Sequence, residues 1–191
     1  MTKLSVNINK VALLRNSRSL DIPNVLHAAK VCMQAGAQGI TVHPRPDERH
    51  IRRSDVFDLA KILTVEFNIE GYPDERYMEI VRQVRPAQAT LVPDSPEQKT
   101  SDHGWDLARD GKLVEPIIGK LKDMGIRVSL FVDPVVKQVE LAAKLKADRI
   151  ELYTEPYARA FASGSYKSVL DTYALAVRTA VSLGLEVNAG H

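Results

Sequence analysis

Gly39-Ile40-Thr41-Val42-His43-Pro44-Arg45-Pro46-Asp47-Glu48-Arg49-His50 reads as a short β-branched strand that stops on a histidine and opens into a loop. Pro44 and Pro46 keep the chain after His43 out of helix, because each disfavours the α region for the residue before it. Arg45, Arg49 and His50 are thereby gathered at one strand end. A strand that finishes on a proton carrier and continues as a stiff cationic loop suits one wall of a site for an anionic substrate.

Working outward, the same alternation of strand and helix repeats. Met1 to Asn9 alternates like a strand, and Lys10 to Asp21 reads as a polar loop carrying Arg15 and Arg18. Pro23 sits at a helix start, Val25, Ala28, Ala29, Cys32 and Met33 mark the helix face, and Gly36 closes it. Ser54 is placed to cap a helix with the stripe Val56, Leu59, Ala60 and Leu63, ahead of a strand over 66–70. Asp74 caps the next, whose stripe is Tyr77, Ile80, Val81 and Val84, and Pro86 precedes a strand over 89–92. Pro93 to Asp110 is the longest irregular stretch, of the kind that serves as a lid or binding loop.

Leu113, Ile117, Leu121 and Met124 form a further helix face before the strand 128–133. Val135, Val139, Ala142 and Ala143 mark another, followed by the strand 149–153. Leu170, Tyr173, Ala174, Val177 and Val181 mark a long helix stopped by Gly184, and the last strand covers 185–189. Seven strand-like runs alternating with six helical ones predict a parallel sheet covered by helices, either an open doubly wound sheet or a (β/α)8 barrel. The first strand is followed by Asn9-Lys10-Val11 instead of a Gly-rich phosphate loop, which favours the barrel.

On these strands one set of alternate positions is apolar: Leu4, Val6, Ile8, Ile40, Val42, Phe67, Ile69, Val128, Leu130, Val132, Ile150 and Leu152. The other set is polar: Ser5, Asn7, Asn9, Thr41, His43, Asn68, Glu70, Ser129, Asp133, Glu151, Tyr153 and Asn188. Burying such residues dry costs on the order of several kcal/mol per unpaired charge. A solvated, substrate-filled cavity near the C-terminal strand ends avoids that cost and points to an enzyme.

The bulk properties leave this reading room. The chain has 191 residues, 45% hydrophobic and 26% charged, with a net charge of +2, so one domain over 1–191 is expected and no long-range field calls for nucleic acid or membrane. Cys32 is the single cysteine, which excludes an internal disulfide and fits a reducing compartment. No apolar run approaches the roughly 20 residues that span a bilayer, and the N-terminus lacks a signal-peptide core. A cytoplasmic protein is expected.

His43 and His191 each end a strand-like run. One such histidine is as readily a hydrogen-bonded rim residue as a catalyst, but two together with Glu70 and Glu151 favour function. Those carboxylates could also be structural ion pairs, and the His and Glu set could hold a divalent metal, although nothing in the spacing demands one. Arg45 and His50 suit a phosphate, Arg45 through its planar fork and His50, as imidazolium, through a further donor. Arg52 and Arg53 read as a solvated helix start, and Cys32 as packing.

Val6-Asn7-Ile8-Asn9, Leu14-Arg15-Asn16-Ser17-Arg18, Gly39 to Ile51, Asn68-Ile69-Glu70, Leu91-Val92-Pro93, Val128 to Asp133 and Val187-Asn188-Ala189-Gly190-His191 together resemble the pyridoxine 5'-phosphate synthase family. The likeness runs in order across the whole chain. It implies a (β/α)8 barrel that condenses 1-deoxy-D-xylulose 5-phosphate with 3-amino-2-oxopropyl phosphate into pyridoxine 5'-phosphate, phosphate and water, without a cofactor or metal, in a homo-oligomer. It further implies His43 and Glu70 as proton acceptors, His191 as proton donor and Glu151 as stabiliser of a charged transition state. Asn7 and Arg18 would contact the aminoketone phosphate; Asn9, Lys10, Arg45, His50 and Thr100 would contact the deoxyxylulose phosphate.

Many relatives carry Asp-His where this chain has Asn9-Lys10. Relatives also continue past the histidine into an eighth strand, so the expectation is a barrel truncated after its seventh strand and poorly active by itself. Another phosphosugar isomerase or epimerase, or a non-catalytic phosphate-binding fragment, are the alternatives.

Overall fold

The computed structural model describes every residue except 1, 19, 95–97, 99, 100 and 191. The strands follow one another in chain order, β1 to β7. The chain divides into two compact units, Met1–Ala89 and Thr90–His191.

In the first unit β1 (Ser5–Asn7), β2 (Gly39–Val42) and β3 (Glu66–Gly71) pair in parallel, with Asn7 opposite Thr41 and Thr41 opposite Asn68. Helices α1 (Asn9–Asn16), α2 (Val25–Gln34), α3 (Arg53–Ile62) and α4 (Glu75–Val84) connect them and lead to β4 (Gln88–Leu91). Asp74 caps α4 as expected, its carboxylate accepting from Tyr77 N at 2.7 Å. Tyr77, Met78, Ile80 and Val81 are its buried face, and it ends at Arg85 in the left-handed region, one residue before Pro86.

Helix α1 corrects the reading of Lys10 to Asp21 as loop. Its large apolar residues Leu13 and Leu14 are exposed while Ala12 and Arg15 are buried, so no apolar stripe marks it as a helix. The first strand is correspondingly short, Asn9 already belongs to α1, and Leu4 is exposed. Helix α3 begins one residue before Ser54, with Arg52 as its cap residue and Asp55 Oδ2 accepting from Arg52 N at 2.8 Å. The carboxylate reaches back over the first turn, so the cap lies two residues before the expected Ser54.

In the second unit β5 (Arg127–Val132), β6 (Arg149–Tyr153) and β7 (Glu186–Gly190) are parallel neighbours, with Phe131 opposite Glu151 and Glu151 opposite Asn188. Their helices are α5 (Leu107–Asp123), α6 (Val136–Lys144), α7 (Glu155–Ala162) and α8 (Lys167–Ser182). The buried stripe of α5 is Leu107, Gly111, Val114, Ile118 and Leu121, and Leu113 faces solvent. Gly111 faces Leu145 at the end of α6, whose methyl carbons would stand 3.7 and 3.8 Å from an added Cβ, an ordinary contact. Reading large apolar residues alone misses a stripe built around a glycine. Helix α7 was likewise missed because it buries no residue. The irregular stretch before α5 is anchored where Trp105, buried, donates from Nε1 to Leu91 O at 2.9 Å.

Candidate active site

The polar strand face of the first unit separates into two layers. In the lower one Ser5 Oγ and Thr41 Oγ1 lie 2.8 Å apart, Asn68 Nδ2 donates to Thr41 Oγ1 at 3.3 Å, and Gln88 Nε2 donates to Asn68 Oδ1 at 3.2 Å. Thr41, Asn68 and Gln88 are all buried. This layer is a hydrogen-bonded ladder across neighbouring strands, so its amides need no water. The next layer on the same face, two residues further along each strand toward its C-terminal end, carries His43 and Glu70.

His43 is buried, and its backbone N–H donates to Asn9 Oδ1 at 2.9 Å. That bond ties the end of β2 to the start of α1. Beyond it the loop turns back on itself, with Arg45 N donating to His43 O and Glu48 N donating to Arg45 O, each at 3.0 Å. Arg45 is buried, and the rings of His43 and His50 lie 6.2 Å apart. The prolines, the histidines and Arg45 therefore form one compact wall, as the opening stretch predicts.

The protonation of His50 differs from expectation. Burial and the cationic charges of Arg45, Arg49 and Lys10, opposed by Asp47, push its pKa down to about 4. Its Nδ1 accepts from Ile51 N at 2.9 Å, so the proton of the neutral ring sits on Nε2. His50 in the unliganded protein is a neutral single donor, which corrects its reading as imidazolium.

Glu70, 2% exposed, is fixed from behind by a close approach. A Cβ on Gly71 would lie 2.3 Å from the Tyr77 ring, and Tyr77 OH donates to Ile69 O at 2.9 Å. The missing side chain at Gly71 lets Tyr77 seal the strand on which Glu70 stands. Burial, then the Glu70 charge, raise the Tyr77 phenol well above its ordinary range, so Tyr77 remains a neutral donor.

In the second unit Glu151 is buried on β6. A Cβ on Gly190 of β7 would come within 2.7 Å of its Oε1, so Gly190 provides the space this carboxylate occupies. Arg149 on the same strand pairs with Glu186. Thr100 and His191, both expected at the site, lie outside the described residues.

Asn7 is exposed, and its Oδ1 accepts from Asn9 N at 2.9 Å. Lys10 is exposed on α1 yet close enough to act on His50. Arg18 is exposed just beyond α1. Arg15, read as ambiguous, is buried in a two-pronged pair with Asp55, at 2.6 and 2.7 Å. Asn16, Asp55, Arg76 and Gln88 have site-supporting contacts that sequence reasoning did not assign. Asn16 was within reach, since it sits inside the quoted segment Leu14 to Arg18. Among the described residues no three His, Cys, Asp or Glu side chains are grouped to hold a metal ion.

Residues 4–191 match the family described as pyridoxal phosphate biosynthesis protein PdxJ. The chain is 53% identical over 191 residues to pyridoxine 5'-phosphate synthase of Porphyromonas gingivalis, covering all of this chain and 80% of that protein. The Bacteroides fragilis protein of the same name is 52% identical over the same shares. Among solved structures, the chain is similar to a lyase for HMG-CoA from Brucella melitensis (TM-score 0.61, 12% identity, 98% of this chain and 80% of that one). It is also similar to phosphoribosylanthranilate isomerase from Thermotoga maritima (TM-score 0.53, 15% identity, 99% and 87%). At such identities these likenesses bear on fold alone, and they agree with a (β/α) barrel of seven strands. The match over residues 4–191 and the relatives' identity over the whole chain place this protein in the PdxJ family.

Proposed function

We propose that this protein condenses 1-deoxy-D-xylulose 5-phosphate with 3-amino-2-oxopropyl phosphate, giving pyridoxine 5'-phosphate, inorganic phosphate and water. The observation that carries the reading is the field around His50, where Arg45, Arg49 and Lys10 act together on one ring 6.2 Å from that of His43. Cations gathered at one strand end, with Asp47 offsetting Arg49 at 2.6 Å, suit a bound anion, and a phosphate held there leaves the rest of its molecule beside an imidazole.

Arg45 and His50 Nε2, with Asn9 and Lys10, receive the deoxyxylulose phosphate, and Thr100 adds to that contact. Asn7 and Arg18 receive the aminoketone phosphate. Imine formation, loss of water, loss of phosphate and ring closure each move protons at different atoms, so separate acid and base groups are needed. His43 and Glu70 accept protons, His191 returns one, and Glu151 stabilises positive charge as it develops. The reaction draws on the substrates' own carbonyl and imine as electron sinks and takes no cofactor.

On the same reading the protein works in the cytoplasm as a homo-oligomer. Family likeness and the lone Cys32 support this; among the described residues no helix is long and apolar enough to cross a membrane. The test supplies both substrates to the protein at its full natural length and follows pyridoxine 5'-phosphate and inorganic phosphate together. Equal release of the two is expected. Thermal stabilisation by the substrates without turnover would contradict the proposal and leave a binding protein.

A further inference from the structure

The loop that carries Arg45 and His50 is gripped from outside itself. Asn16, in the last turn of α1, donates from Nδ2 to Glu48 O at 3.0 Å and to His50 O at 2.7 Å. Arg15 Nη2 donates to the same His50 carbonyl at 3.1 Å. Arg15 is in turn fixed by both oxygens of Asp55, whose Oδ2 also accepts from Arg52 N at 2.8 Å. From the other side Arg76 of α4 donates to Pro44 O at 2.8 Å and to Arg45 O at 3.1 Å.

Two features show that this grip does more than tidy a loop. Glu48 has φ 52, a left-handed conformation that costs a non-glycine residue on the order of 1 kcal/mol or more and persists only where the surroundings over-determine it. Asn16 on its carbonyl and Arg53 N on its Oε1, at 2.9 Å, are those surroundings. Second, Arg15 and Asp55 are both buried, and a buried ion pair is commonly no more stabilising than an apolar pair of the same volume. What the pair adds is direction, because a guanidinium locked by a carboxylate has its other N–H groups aimed, Nη2 at His50 O and Nε at Asn16 Oδ1, the latter at 3.0 Å.

We infer that Asn16, braced by the Arg15–Asp55 pair, is a positioning residue that holds the backbone between Arg45 and His50 in its anion-binding shape. It touches neither substrate and acts through the Glu48 and His50 carbonyls. The inference rests on the function proposed above and extends it to α1. Donors shifted off their places lose charge-assisted hydrogen bonds to a bound phosphate, so the clamp bears directly on substrate affinity.

The experiment compares wild type, Asn16→Ala, Arg15→Lys and Arg45→Ala at full natural length, measuring KM for the deoxyxylulose phosphate, kcat, Tm and the Kd for inorganic phosphate. Asn16→Ala leaves the ion pair intact. It should raise KM and the phosphate Kd at least about tenfold while kcat stays within about threefold, the pattern of lost uniform binding. Arg15→Lys keeps a cation beside Asp55 without the fork and should move the same two constants in the same direction. A lower Tm with KM and Kd unchanged in both variants, while Arg45→Ala raises them, would reduce the clamp to a structural brace and overturn the inference. If Asn16→Ala fails to fold, Arg15→Lys decides by the same two constants. Absence of turnover in the wild type would count against the proposed reaction alone, because the phosphate Kd still reads the clamp.

Discussion

At pH 7 an ordinary exposed histidine is partly charged, whereas His50, half-buried among Arg45, Arg49 and Lys10, is neutral with its pKa near about 4. Folding thus favours the uncharged ring. The stability this contributes is present above the unfolded value near 6.5 and is lost as pH falls toward 4. An arriving phosphate opposes the three cations and reverses part of the shift. Imidazole proton resonances followed against pH should therefore show a His50 midpoint near 4 without anion, rising when inorganic phosphate is added. A midpoint near 6.5 in the absence of phosphate would contradict this description of the loop. His43 and Glu70 are buried on the strand face to which parity assigned them, and Arg45 is buried in the loop beyond. The charge state of His50 was not visible, because it depends first on burial and then on how closely Arg45 and Arg49 approach the ring, neither of which sequence spacing reports.

Elements that bury an apolar stripe were legible, and those that do not were missed. Helix α4, with Asp74 before it and Pro86 after it, was read at both ends. Helix α1 hides because its buried residues are Ala12 and Arg15, so a helix held by a polar grip leaves no periodic signature. The polar strand face was read as opening on a solvated cavity near the C-terminal strand ends; deeper on that face Ser5, Thr41, Asn68 and Gln88 hydrogen-bond to one another. Period-two parity says which residues share a face, not how deep each one lies. At this scale Gly71 is the sharpest test, since an added Cβ would meet a Tyr77 ring that is tied by its hydroxyl to Ile69 O. Gly71→Ala should cost about 1 to 3 kcal/mol through overpacking. Urea unfolding would show it as a lower midpoint at unchanged m-value; an unchanged midpoint would mean that the close approach does not constrain β3.

For the molecule as a whole, the alternation of parallel strands and helices and the absence of a glycine-rich phosphate loop identified the barrel class before any coordinates. The PdxJ match over residues 4–191 then names the family. The chain divides into two compact units after Ala89, a division on which length carries no information. The chemistry ascribed to the protein depends on two groups of the first unit, His43 and Glu70, moving protons on a substrate whose phosphate Arg45 and His50 retain. The most direct measurement is therefore steady-state formation of pyridoxine 5'-phosphate by His43→Asn and Glu70→Gln, with inorganic phosphate affinity measured alongside. Each variant should lose at least about a hundredfold in kcat while phosphate affinity persists; turnover near the wild-type rate in both would contradict the assignment.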